Sequence, residues 1–165
     1  MSDTPSPRCL YLLRHGLADR SAWRGDDFER PLTSAGRKRM ARAADTMARL
    51  GLRPDVIISS PLIRAWQTAV IVAERLQVTD RLHKDDRVAF GFDARMVTEI
   101  LATHPQAREV MLVGHEPTFS LIIGEITGGS EVVCKKGGLA RIDLHREDPP
   151  AGILVWLIPP KALTL

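Results

Sequence analysis

Apolar positions along the chain follow two rhythms. Short solid runs, RCLYLL at 8–13, DVIIS at 55–59 and EVMLVG at 109–114, have the length and branching of strands buried on both faces. Between them the apolar residues space out to a helical period. Ala35, Met40, Ala43, Ala44, Met47 and Leu50 form one stripe that Thr33 or Ser34 caps and Gly51 stops. Leu62, Trp66, Ala69, Val70, Ala73 and Leu76 form a second, with Ser60 as N-cap and Pro61 in the first turn. A third helix runs from an Asp93 cap to about Thr103, ahead of Pro105, and a fourth from Pro117 to the Gly128-Gly129 pair.

Two further strands, LARIDLH and GILVWLIP, close the chain around a hairpin-like loop, REDPPA. The stretch from 81 to 92 has no clear period and reads as a loop with at most a short strand, and 17–32 reads as a polar loop. Residues 1–7, rich in Ser and Pro, read as a flexible arm ahead of a single domain at 8–165. Strands alternating with helices predict an α/β fold, with a mainly parallel central sheet and helices on both faces.

Composition narrows the function. No run approaches the roughly 18 apolar residues of a membrane span, and MSDTPSPRCLYLL lacks the order of a secretion signal, so a cytoplasmic protein without membrane contact is expected. Cys9 and Cys134 fit neither a metal spacing nor a disulfide framework and are expected as reduced thiols. A net charge of +3 and a pI near 9.2 suit either nucleic acid or a small anionic ligand. The second fits better: basic residues are dispersed apart from GRKRMAR, and aromatics make up only 5%, too few for a stacking platform.

Ligands of open α/β sheets collect beyond the carboxyl ends of the strands. There the first strand ends in Arg14 and His15, the second precedes a helix carrying Arg64 in its first turn, and the third ends in Gly114 and His115. Two arginines and two histidines at one sheet edge would repel each other without an anion between them. A phosphoryl group fits, because guanidinium forks match its oxygens and a neutral imidazole is a nucleophile near neutral pH. Gly16 is expected to let the backbone pass close to that anion, and Trp23 to line the pocket mouth.

The segments LLRHG, SSPLIRAWQTA and LVGHEP, in this order, resemble the histidine phosphatase superfamily, which includes phosphoglycerate mutases and many phosphatases. The resemblance spans about residues 8–158. It implies a phosphoglycerate mutase-like three-layer sandwich, His15 as a transiently phosphorylated nucleophile, Arg14 and Arg64 as a phosphate clamp, and His115 as the second pocket histidine. Within the superfamily, DDFERPLTSAGRKRM, with RPLTSAG at 30–36, resembles the SixA-type phosphohistidine phosphatases. That resemblance implies a phosphorylated protein partner, such as a histidine phosphotransfer domain in a bacterial signalling relay. Mutases resemble the chain less, because they carry long insertions over the pocket.

A phosphomonoester needs a general acid for its leaving alkoxide, whereas phosphohistidine leaves as an imidazole whose conjugate acid has a pKa of about 6.5. The segment RLHKDDRVAFGFD offers no clean acid pattern. Asp86 is the best positional candidate, then Asp85, with Glu116 third because it follows His115. No cofactor or metal is expected, since cationic side chains do the neutralising and His83, His104 and His145 show no ligand spacing. A small-molecule phosphomonoesterase is the alternative reading. A non-catalytic phosphate-binding protein is a third, disfavoured by the intact Arg14, His15, Arg64 and His115 set.

Overall fold

The computed structural model describes residues 7–165. Of the arm expected at 1–7, residues 1–6 lie outside the described part. The remainder builds one six-stranded sheet in the order β3-β2-β4-β1-β5-β6. Its strands are β1 (Arg8–Arg14), β2 (Val56–Ser59), β3 (Leu82–Lys84), β4 (Glu109–Gly114), β5 (Leu139–Glu147) and β6 (Pro150–Ile158). The first four run parallel, and β5 and β6 are antiparallel additions on the far side of β1. This is the mainly parallel sandwich expected, with the layers set by strand alternation. Cys9, Tyr11 and Leu13 of β1 face α1 (Ser34–Arg49), α2 (Ile63–Arg75) and the short α5 (Pro160–Leu163), while Leu10 and Leu12 face α3 (Ala94–Thr103) and α4 (Thr118–Ile126). With both faces covered, the central strands carry almost no polar residue until their carboxyl ends.

The caps follow the sequence in two helices of three. Thr33 Oγ1 accepts from Gly36 N–H at 2.9 Å to start α1, and Asp93 accepts from Met96 N–H at 2.9 Å to start α3. The third differs. Helix α2 begins at Ile63 behind Leu62, with no side-chain cap, and its buried face is Ala65, Ala69, Val72 and Ala73, leaving Trp66 and Val70 half-buried. Ser60 is released from capping and turns its hydroxyl to the site described below. The late hairpin is also tighter than expected: β5 and β6 extend through most of REDPPA, leaving only Asp148 and Pro149 as the turn. The 81–92 stretch holds the short β3 between the end of a 3-10 turn at Thr79–Arg81 and a second at Asp86–Val88. Cys9 and Cys134 are both buried free thiols, and among the described residues no helix is long and apolar enough to cross a membrane.

Candidate active site

The parallel register aligns the strand ends. Arg14 pairs with Gly114 across β1 and β4, and the ladder continues one residue further through His15 N–H to the Gly114 carbonyl at 3.0 Å. His15 and His115, the next residue on each strand, therefore emerge side by side, with ring centroids 5.3 Å apart. On the other side of β4, Ser60 N–H bonds the Val113 carbonyl at 2.9 Å, so the chain leading into α2 leaves the sheet at the same level. Arg64, in the first turn of α2, is then carried to the same edge, 3% exposed.

Each of the two histidines is held through one ring nitrogen. His15 Nδ1 lies 2.7 Å from the Gly16 carbonyl, which can only accept, so Nδ1 holds the proton and Nε2 keeps a lone pair. His115 Nε2 lies 2.7 Å from Ser60 Oγ. That oxygen also accepts from Leu62 N–H at 3.2 Å and keeps its own hydrogen to give; directed at Nε2, this hydrogen leaves the His115 proton on Nδ1. Burial above all, together with the neighbouring positive charges, pushes the His15 imidazolium down to about 3; burial and Arg64 push that of His115 down to about 4. Both rings are neutral at pH 7.

Around them lies a cavity of about 320 Å³ lined by Arg14, His15, Arg20, Arg30, Arg64, Phe90, His115, Glu116 and Lys136. Five of these side chains are cationic and one is a carboxylate. Among the described residues, the buried side-chain polar atoms without a hydrogen-bond partner are Arg14 Nε, Arg64 Nε and His115 Nδ1. Each belongs to a residue lining this cavity. Unpaired buried polar atoms are costly, and three on residues that wall one cationic hollow mark where an anion would be held.

All four core residues read from the sequence, Arg14, His15, Arg64 and His115, thus meet. The remaining expectations fare differently. Gly16 does not line the cavity: its amide donates to Thr68 Oγ1 at 3.0 Å, and a Cβ there would come within 2.6 Å of Met40 Cγ. Its small size serves packing against α1. Trp23 is also outside the lining, with Nε1 donating to the Asp26 carbonyl at 2.7 Å. Neither Asp85 nor Asp86 reaches the cavity. Asp85 is bound to Arg87, with a closest contact of 2.6 Å, and Asp86 points to solvent. Glu116 does line it, with Oε1 accepting from Ser120 N–H at 3.1 Å. No group of three or more His, Cys, Asp and Glu that could hold a metal ion occurs among the described residues.

Four contributors went unread, among them Arg20 from the 17–32 loop. Arg30 stood inside the quoted RPLTSAG block, but its burial beneath the Ala18 carbonyl follows only from the folded loop. Phe90, 5.7 Å from the His115 ring, and Lys136 arrive from loops remote in sequence. No local pattern singles them out.

Residues 10–89 match the family model described as "Histidine phosphatase superfamily (branch 1)". An uncharacterized protein of Picosynechococcus sp. is 31% identical over 84% of this chain and 91% of its own. The fold matches the protein histidine phosphatase SixA complexed with tungstate at a TM-score of 0.83, with 22% identity over 94% of this chain and 99% of that one. It also matches a protein of Agrobacterium tumefaciens provisionally described as phosphohistidine phosphatase SixA, at 0.76 and 26% identity over 92% and 98% of the two chains. A mycobacterial glucosyl-3-phosphoglycerate phosphatase in complex with VO3 superposes at 0.73, with 18% identity over 92% and 99%. The chain belongs to the histidine phosphatase superfamily. At that level its chemistry is phosphoryl hydrolysis through a histidine nucleophile.

Proposed function

We propose that the protein is a phosphatase of SixA type, with His15 as nucleophile and a phosphohistidine on a protein as substrate. The observation that carries this reading is the set of three unpaired buried nitrogens, Arg14 Nε, Arg64 Nε and His115 Nδ1, on residues lining a cavity that His15, with a free lone pair on Nε2, also lines. In the first step His15 Nε2 attacks phosphorus in line, forming one P–N bond as the P–N bond of the substrate breaks; with a proton already on the substrate ring's other nitrogen, the leaving group is a neutral imidazole. Arg14, Arg64 and the His115 Nδ1–H stabilise the equatorial oxygens, where the transition state carries charge. In the second step water attacks the phosphorus, the His15 P–N bond breaks, and inorganic phosphate departs with His15 neutral again.

Support for the leaving group comes from the lining. Neither Asp85 nor Asp86 stands where an alkoxide would need its proton, and imidazole leaves without a strong acid. The second reading, a small-molecule phosphomonoesterase, is favoured by Glu116, the one carboxylate on the cavity wall among the described residues, and by the likeness to the sugar-phosphate phosphatase fold.

The deciding experiment compares turnover of a phosphohistidine-bearing protein with turnover of sugar phosphates and an aryl phosphate, and traps the enzyme-bound phosphoryl group. We expect preference for the phosphoramidate and an acid-labile, base-stable phosphoryl group on His15. In His15→Ala, activity should fall by about three orders of magnitude or more. Clear preference for monoesters overturns the substrate assignment, and undiminished turnover by His15→Ala overturns the nucleophile.

A further inference from the structure

Asp27 touches none of the substrate space, yet three of the five cations on the cavity wall are bound to it. Its Oδ2 lies 3.2 Å from Arg64 Nη2, its Oδ1 lies 3.0 Å from Arg30 Nε and 3.6 Å from Arg20 Nη2, and its main-chain carbonyl accepts from Arg64 Nη1 at 2.7 Å. The residue opens the 3-10 turn Asp27–Glu29, which Asp26 caps by accepting from Phe28 N–H at 2.8 Å and Trp23 braces through the Asp26 carbonyl. One rigid turn thus holds arginines from two different parts of the chain.

We infer that Asp27 is the positioning residue of the anion site: it orients Arg64 and Arg30 so that their remaining N–H groups face one phosphoryl group. Asp27 engages one N–H on each of Nη1 and Nη2 of Arg64, and of the three N–H groups left over one is on Nε, among the three unpaired buried nitrogens. Arg30 is held at both ends, by Asp27 at Nε and by the Ala18 carbonyl at Nη1, so its guanidinium has a fixed plane on the cavity wall. Without the carboxylate, Arg64 and Arg30 repel each other at close range inside a partly desolvated wall, and long side chains relieve such repulsion by turning to solvent. Consistent with this, Asp27 remains strongly acidic: burial works against its charge, but the Arg30 hydrogen bond and the charges of Arg64, Arg30 and Arg20 outweigh it.

This inference rests on the phosphatase reading, and its test separates the two. Coulomb's law alone makes a definite opposite prediction: deleting a negative charge beside an anion site strengthens anion binding. Positioning predicts weakening. Inorganic phosphate and tungstate binding to the intact protein would be measured by calorimetry for wild type, Asp27→Asn, Asp27→Ala and Asp27→Glu, with kcat and KM on an aryl phosphate alongside.

We expect Asp27→Asn to weaken anion binding about tenfold and to lower kcat, the cost of losing one charge-assisted hydrogen-bond set. Asp27→Ala should be worse, and Asp27→Glu should recover part of both parameters. Thermal denaturation and near-ultraviolet circular dichroism confirm that each variant is folded. Equal or tighter anion binding by folded Asp27→Asn overturns the inference. Failure of the wild type itself to bind phosphate or tungstate overturns the underlying phosphatase reading.

Discussion

Ser60 Oγ lies 2.7 Å from His115 Nε2 and 3.2 Å from Leu62 N, so one hydroxyl ties the imidazole ring to the backbone ahead of α2. When that hydroxyl gives its hydrogen to Nε2, the ring proton stands on Nδ1. Ser60→Ala leaves Nε2 buried and unpaired and frees the ring to change tautomer. We expect kcat on a phosphorylated substrate to fall about tenfold, near the worth of one hydrogen bond, with a smaller change in KM. Ser60→Thr should restore most of it. Nitrogen-15 chemical shifts of the His115 ring check the tautomer directly, and an unchanged shift pattern in Ser60→Ala would refute the assignment.

The neutral histidines also set a pH dependence. Both have folded pKa values far below the ordinary 6.5, about 3 for His15 and about 4 for His115. Between pH 6.5 and 4 the unfolded chain therefore binds protons that the folded chain does not, and stability falls as the pH falls through that window. Urea denaturation across pH 7 to 4.5 should show this decline, and His115→Gln should flatten it. Bound phosphate should flatten it as well, since an anion in the cavity favours the protonated rings. A wild-type curve level over that range would contradict the burial of these two groups.

Gly36 marks a close approach between backbones. A Cβ built on it stands 2.3 Å from the Leu17 carbonyl oxygen, which also accepts from Thr33 N–H at 2.9 Å. Main chain yields less readily than the end of a side chain. Gly36→Ala should cost about 2–3 kcal/mol in urea denaturation, by overpacking where α1 meets the loop that leaves His15. Gly51→Ala is a poor control because of its positive φ, so Ala35→Ser in the exposed part of the same turn serves instead, with little expected change.

Arg8 is buried at the opposite end of β1 and closes the carboxyl end of α3. Its Nε donates to the Ala107 carbonyl at 2.7 Å, Nη2 to the Leu101 carbonyl at 3.1 Å and to that of His104, and Nη1 to Glu147 at 2.9 Å. Arg8→Met keeps the apolar stem and removes every donor, so it should destabilise by about 3 kcal/mol through the orphaned carbonyls. The half-exposed Glu147 contributes less, and Glu147→Gln should cost under about 1 kcal/mol. Turnover per folded molecule should be unchanged in both, because neither residue approaches the cavity.

What the sequence revealed and what it concealed divide along a physical line. His15, His115 and Arg64 were legible because strand ends and helix starts have a defined direction, and a parallel sheet brings them to one edge. Asp27 was not. Its importance depends on the 17–32 loop folding back over the start of α2, and nothing in DDFERPL announces that path. Asp85 and Asp86 were reached by position alone, before Arg87 could be seen to capture one while the other faces solvent. Ser60 has the residue type of a helix cap, and the preference is real, but α2 starts later and the hydroxyl serves a histidine instead. Even RPLTSAG, recognisable as a block, only gains its reasons in three dimensions: Arg30 for the cavity wall, Thr33 for the cap and Gly36 for the Leu17 carbonyl.

The pairing of Arg14 with Gly114 has a consequence for how such a protein can change. The 5.3 Å between the two histidine rings is close to the spacing of neighbouring strands, roughly 4.8 Å, so the sheet itself sets the gauge of the site. Loops after Gly16, after Lys84 and before Gly137 hang from the rim without entering that measurement. They can lengthen, shorten or exchange residues, and so admit a different clientele, while the spacing of the two histidines stays the same.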